Sequence, residues 1–88
     1  MELGTVIQAL YDSEINCRIS TFWNGGFDVK LGDGLNGWVA KTNVKTAGEA
    51  AEWLDKTARE EFPESKYTLG SEEFERREKG GKDRSTNS

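Results

Sequence analysis

The chain has 88 residues, room for one domain, with 12 Lys or Arg against 16 Asp or Glu and a net charge of -4. It has no His and a single Cys, Cys17, which excludes imidazole-based triads, internal disulfides and cysteine-rich metal centres. No apolar run approaches the roughly 20 residues of a membrane span, and residues 1–11 lack the regions of a signal peptide. We therefore expect a soluble cytoplasmic protein without a cofactor, whose acidity disfavours nucleic acid and membranes as ligands.

The N-terminal segment has apolar residues at helical spacing, namely Leu3, Val6, Ile7 and Leu10. The same stretch can also alternate as a strand, because Ile7, Ala9 and Tyr11 would then share one side. The spacing favours a short helix over a fourth strand.

From Ile15 the pattern changes to alternation, which predicts a first strand with Cys17 and Trp23 on its apolar side. The Asn24-Gly25-Gly26 turn leads into a second strand over 27–31, because Gly and Asn tolerate positive φ. A three-residue loop keeps the apolar sides of both strands together. The predicted pairs are Trp23–Phe27, Thr21–Val29 and Ile19–Leu31.

A third strand is predicted over 38–44, followed by an amphipathic helix over 46–62. The core side of the strand is expected to hold Trp38, Ala40, Thr42 and Val44. Thr46 and Glu49 fit a capping box at the start of the helix, and Pro63 ends it. At 100° per residue, one arc of this helix collects Ala47, Ala50, Ala51, Leu54, Ala58 and Phe62.

The predicted fold is α+β, a three-stranded antiparallel meander with the 46–62 helix on one face. Residues 1–69 form one compact domain, and 70–88 a charged tail, helical near 71–79 and then disordered. The element order is shared with double-stranded RNA-binding domains. That function needs a basic cluster at the start of the second helix, where this chain has Thr46-Ala47-Gly48-Glu49-Ala50.

Patterns typical of catalysis or metal binding are weak. Gly32-x-Gly34-x-x-Gly37 matches a kinase glycine-rich loop, but the chain has no His and no room for the rest of a kinase. Asp33 and Asn36 lack the spacing of a calcium loop. Asp12 and Glu14 are expected to be solvated carboxylates. We therefore predict no enzyme activity and no metal site.

The leading functional hypothesis is a small acidic protein-interaction module that regulates or inhibits a larger partner protein. Glu60, Glu61 and Glu64 would be its acidic contacts and Trp53 its aromatic anchor, so reversing these charges should weaken binding. Small acidic phage proteins that inhibit nucleic-acid machines, anti-CRISPR proteins among them, are one subclass of that size and charge.

Two alternatives use the second face of the sheet, which is predicted to carry Arg18, Ser20, Phe22, Asp28, Lys30, Val39 and Lys41. In the first, single-stranded nucleic acid binds there, with phosphates on Arg18, Lys30 and Lys41 and a base stacked on Phe22. In the second, exposed Phe22 and Val39, or a free edge strand, pair two copies of a self-associating structural domain.

Overall fold

The computed structural model describes residues 1–33, 35 and 37–78. Its elements are α1 (Leu3–Asp12), β1 (Cys17–Phe22), β2 (Gly26–Asp33), β3 (Gly37–Val44), α2 (Ala47–Glu61), α3 (Lys66–Leu69) and α4 (71–78). The strands form one antiparallel sheet in the order β1-β2-β3, which confirms the predicted meander and the α+β class. The predicted disorder of residues 80–88 lies outside the described residues.

The N-terminal segment is a helix, and the strand alternative is wrong. Its apolar side chains recur every three or four residues, so α1 buries Val6 and Leu10 against the rest of the core. Ile15, expected at the start of β1, instead precedes that strand and is also buried.

A single core lies between the two long helices and one face of the sheet. Its largest fully buried side chains are Leu10, Val29, Leu31 and Leu54, from α1, β2 and α2. Small residues on α2 let this helix approach the sheet closely, and they are Ala50, Ala51 and Ala58. The predicted apolar arc of α2 is therefore confirmed, apart from Ala47, which is exposed.

The N-terminus of α2 is capped as its sequence predicts. The Glu49 N–H donates to Thr46 Oγ1 at 3.1 Å. The Glu49 carboxylate accepts from the Lys45 N–H at 3.3 Å, one residue before the cap itself. The first bond satisfies a donor that the first turn of a helix leaves unpaired, and the second ties the preceding residue to that turn.

The β1–β2 hairpin differs from its predicted register by two residues. The loop has three residues, but the pairs are Phe22–Gly26, Thr21–Phe27 and Ile19–Val29. Gly26 explains the shift, because its φ of 83° suits glycine and a Cβ there would overlap the Val44 carbonyl oxygen. Trp23, predicted on the core side, therefore lies in the turn and is 98% exposed.

A β-bulge near the end of β3 overturns the predicted faces of that strand. Phe27 pairs with Val44, but Val29 pairs with Lys41, so Thr42 and Asn43 together lie opposite Asp28. Asn43 has a φ of 58°, a left-handed conformation that Asn adopts more readily than most residues. Only Val44 of the four predicted core residues of β3 is buried.

The bulge exchanges the two sides of β3, because side chains alternate along a strand and direct cross-strand partners share a face. Val39 and Lys41 pair with the buried Leu31 and Val29, so their predicted place on the second face is wrong. Trp38 pairs with Gly32 on that second face instead. We call this second face the open sheet face, and it consists of Arg18, Ser20, Phe22, Asp28, Lys30, Trp38 and Ala40.

The C-terminal part of the described chain packs back through Tyr67 on α3 and then continues as α4. Ser65 caps α3 by accepting from the Thr68 N–H at 3.2 Å. No helix within residues 1–33, 35 and 37–78 is long and apolar enough to cross a membrane.

Candidate binding surface on the open sheet face

The open sheet face is exposed over most of its area. The core lies on the opposite side of the sheet, where α2 packs on β2 and β3 and α1 packs on β1. Phe22 is 56% exposed and Trp38 is 38% exposed, and the side chains between them are mostly polar or small. Exposed aromatic side chains on an ordered sheet are typical of a binding surface.

An arginine and a tryptophan stack at one end of this face. The Arg18 guanidinium carbon lies 5.1 Å from the centroid of the Trp38 ring, within the range of a cation–π contact. Gly32 on β2 is the cross-strand partner of Trp38, and it has no side chain to separate the indole from β1. Lys30 pairs directly with Arg18 and adds a second cation beside the stack.

Phe22 lies at the other end of the face, beside the β1–β2 turn. Its cross-strand partner is Gly26, which has no side chain, and the ring is more than half exposed. Gly32, the partner of Trp38, lies level with Asn16, six residues before Phe22. Phe22 and Trp38 are therefore separated by about 20 Å along the strand direction. The surface is therefore elongated, with an aromatic group near each end.

Asp28 introduces one negative charge into the middle of the face. It pairs with Ser20 and is half-buried. Its Oδ1 accepts from the Asn43 N–H at 3.3 Å, so the carboxylate is hydrogen-bonded to the backbone of the bulge. The charged groups Arg18, Lys30 and Asp28 give the face a net positive charge.

Charge is unevenly distributed along the chain. Residues 16–45, which contain the three strands, carry four Lys or Arg and two Asp. Residues 46–78, which contain α2 to α4, carry five Lys or Arg and ten Asp or Glu. The helical side of the molecule is therefore acidic, and the sheet has the opposite sign.

Two of the four residues predicted for nucleic-acid binding, Arg18 and Lys30, lie together on the open sheet face, with Phe22 at its far end. Lys41 lies on the other face, where it lines a cavity with Trp53, Glu49 and others. The side chain that sequence reasoning missed is Trp38. Only the Asn at position 43, a residue tolerant of positive φ, signalled the bulge that turns Trp38 outward.

The four residues of the leading hypothesis have different surroundings in the structure. Trp53 packs against the core, about 10 Å along α2 from the exposed Glu60. Glu61 lines a cavity with Trp38 and Val39. Glu64 lies beyond the end of α2, where its Oε1 is 3.9 Å from Arg77 Nη1 on α4. A role for these four residues in binding stays a prediction.

Chemically reactive groups are few in the described part of the chain. Burial raises the pKa of the Cys17 thiol, so its reactive thiolate is disfavoured. Residues 1–33, 35 and 37–78 contain no group of three His, Cys, Asp or Glu side chains arranged to hold a metal ion.

Comparison with known proteins finds no family model, no curated protein and no solved structure that matches this chain. A function therefore has to be inferred from its own residues.

Proposed function

We propose that this protein is a non-enzymatic interaction module that binds a partner protein through its open sheet face. The observation that carries this proposal is the exposed stack of Arg18 on Trp38. Trp and Arg are the residue types most often responsible for binding energy at protein interfaces. A cytoplasmic location is part of the proposal, since the lone Cys17 is a free thiol.

The charges on the face define the chemistry of the partner. Arg18 and Lys30 would pair with Asp or Glu of the partner, while Phe22 and Trp38 would contact its apolar side chains. The partner surface is therefore an elongated segment that combines acidic and apolar residues. Such a contact would regulate or inhibit the partner by covering that segment.

Single-stranded nucleic acid suits the open sheet face less well. Its phosphates would meet only Arg18 and Lys30, because Lys41 lies on the other face, and Asp28 would repel them. The net charge of -4 also opposes the approach of a polyanion. The experiment below therefore includes a nuclease treatment that would reveal nucleic acid as the ligand.

The test is affinity capture of the tagged full chain from lysate of its source organism, with and without nuclease. We expect one stoichiometric protein that survives nuclease and is lost from the Arg18→Glu and Trp38→Ala variants. The control is Tyr11→Ala, which removes an aromatic that is 75% exposed on α1. Capture should persist in this control.

Three other results would contradict the proposal. A partner lost with nuclease would make nucleic acid the ligand. A partner lost from a variant with Glu60, Glu61 and Glu64 changed to Lys, but retained by Trp38→Ala, would place the interface on the acidic end of α2. Capture of the chain itself alone would favour self-association.

A further inference from the structure

A second candidate site lies on the helical side of the molecule, away from the open sheet face. A cavity of about 430 Å³ opens between α1 and the segment that contains α3. Its volume is within the roughly 300–1,000 Å³ of small-molecule sites. The apolar part of its wall includes Met1, together with Val6 and Ala9 of α1 and Tyr67 of α3.

Arg59 lines this cavity and is held in place from one side. Its Nε donates to Asp55 Oδ1 at 3.2 Å, and its guanidinium carbon lies 5.2 Å from the centroid of the Tyr67 ring. The Tyr67 hydroxyl donates to the same Oδ1 at 2.6 Å. The arginine is therefore fixed by a carboxylate and an aromatic ring together.

The binding capacity of Arg59 is only partly used by these contacts. Within the described residues, its two terminal nitrogens have no hydrogen-bond or ion-pair partner, and its side chain is 50% exposed. A guanidinium in this state presents donors in a fixed geometry that matches a carboxylate. Holding it in advance lowers the entropic cost of binding.

Lys66 supplies a second positive charge to the same cavity. It is half-buried and forms no ion pair within the part of the chain that the structure describes. Among the described residues that line the cavity, the only acid is Asp12, whose Oδ1 accepts from Gln8 Nε2 at 3.0 Å. The cavity thus combines two cations, an apolar wall and one carboxylate that already accepts a hydrogen bond from Gln8.

We propose that this cavity binds a small organic anion with a carboxylate at one end and a compact apolar body. The carboxylate would accept hydrogen bonds from the terminal nitrogens of Arg59 and from Lys66. The apolar body would lie against Val6, Ala9 and the Tyr67 ring. No residue of the open sheet face takes part, so the two sites are tested separately.

The experiment is a titration of the isotope-labelled full chain with 4-phenylbutyrate, followed by amide NMR. The matched control ligand is 4-phenylbutanol, which keeps the apolar body and lacks the charge. We expect saturable shifts at the amides of Ala9 and Tyr67 with the acid, and an affinity at least about tenfold lower for the alcohol.

Arg59→Gln and Lys66→Gln should each lower the affinity for 4-phenylbutyrate by a similar factor of about ten or more. Arg76→Gln on α4 should leave this affinity unchanged. Lys66→Gln is the decisive variant if Arg59→Gln disturbs the Asp55–Tyr67 contact. Equal binding of acid and alcohol, shifts confined to the open sheet face, or no saturable shift would each overturn the proposal.

Discussion

Arg18 on β1 and Trp38 on β3 contact each other across the intervening strand, with 5.1 Å between the guanidinium carbon and the ring centroid. Two local features of the sheet, one at an asparagine and one at a glycine, allow this contact. The bulge at Asn43 turns Trp38 to the open sheet face. Gly32 on the intervening strand has no side chain to separate Trp38 from Arg18. The sheet thereby presents its largest aromatic beside its cations.

Removing the stack should affect binding far more than folding. An exposed cation–π contact is worth about 0.5–1 kcal/mol, so we expect Arg18→Ala to lower the free energy of unfolding by no more than that. Urea denaturation of Arg18→Ala beside Ser20→Ala, a neighbouring exposed position, measures the difference. A much larger loss would mean that Arg18 supports the fold and that its role in binding cannot be read from variants.

Asn43 should be sensitive to β-branched substitution. Its φ of 58° is costly for β-branched side chains, so Asn43→Val should destabilise the protein by about 1–2 kcal/mol. Asn43→Gly should remain close to the parent, because Gly adopts that φ without strain. Thr42→Val, at the adjacent exposed position, is the control. If Asn43→Val is as stable as Thr42→Val, the bulge is not where the structure has it.

Two glycine-to-alanine changes should have opposite effects. Gly32 has a φ of 128°, and a Cβ there would overlap the Gly37 carbonyl oxygen, so Gly32→Ala should destabilise by about 1–3 kcal/mol or more. Gly4 lies in α1 with open space around it, and Gly4→Ala should stabilise by about 0.5–1 kcal/mol. Thermal denaturation of both variants checks the contrast. Equal effects would contradict the register of β2 and β3.

Stability should fall at alkaline pH because of Tyr67. Burial, followed by its hydrogen bond to Asp55, raises the pKa of the Tyr67 phenol well above its usual value near 10. The neutral phenol is therefore favoured by folding, and this stabilisation is present below pH 10 and is lost as the pH rises toward the folded pKa.

The free energy of unfolding, measured by urea denaturation from pH 8 to 11, should decline more steeply for the parent than for Tyr67→Phe. Tyrosinate absorbance should show a group that ionises at higher pH in the folded than in the unfolded chain. Parallel declines for the two proteins would show that Tyr67 is not held in its protonated form.

Local patterns were enough to predict the three strands, the two long helices and their order. The apolar spacing of α1, the Thr46 cap of α2 and the alternation of β1 and β2 each depend on neighbours in sequence, and each is confirmed. The short helix α3 was not foreseen, because four residues give too little periodicity to detect.

The register of the sheet and the faces of β3 depend on contacts between distant residues. Gly26 must fit against Val44, and a single extra residue near Asn43 reverses every side chain before it. Alternation alone therefore predicted Trp38 on the core side of β3 and Lys41 on the second face. The structure has them the other way round, so Trp38 belongs to the candidate site and Lys41 does not.

The most direct test of the central claim is site-specific photo-crosslinking in cells of the source organism. The photoreactive amino acid p-benzoylphenylalanine replaces Phe22 on the open sheet face, or Tyr11 on α1 as the matched control. The proposal predicts a protein adduct from position 22 that is resistant to nuclease, and none from position 11. An adduct from position 11 alone, a nuclease-sensitive adduct from position 22, or no adduct from position 22 would contradict it.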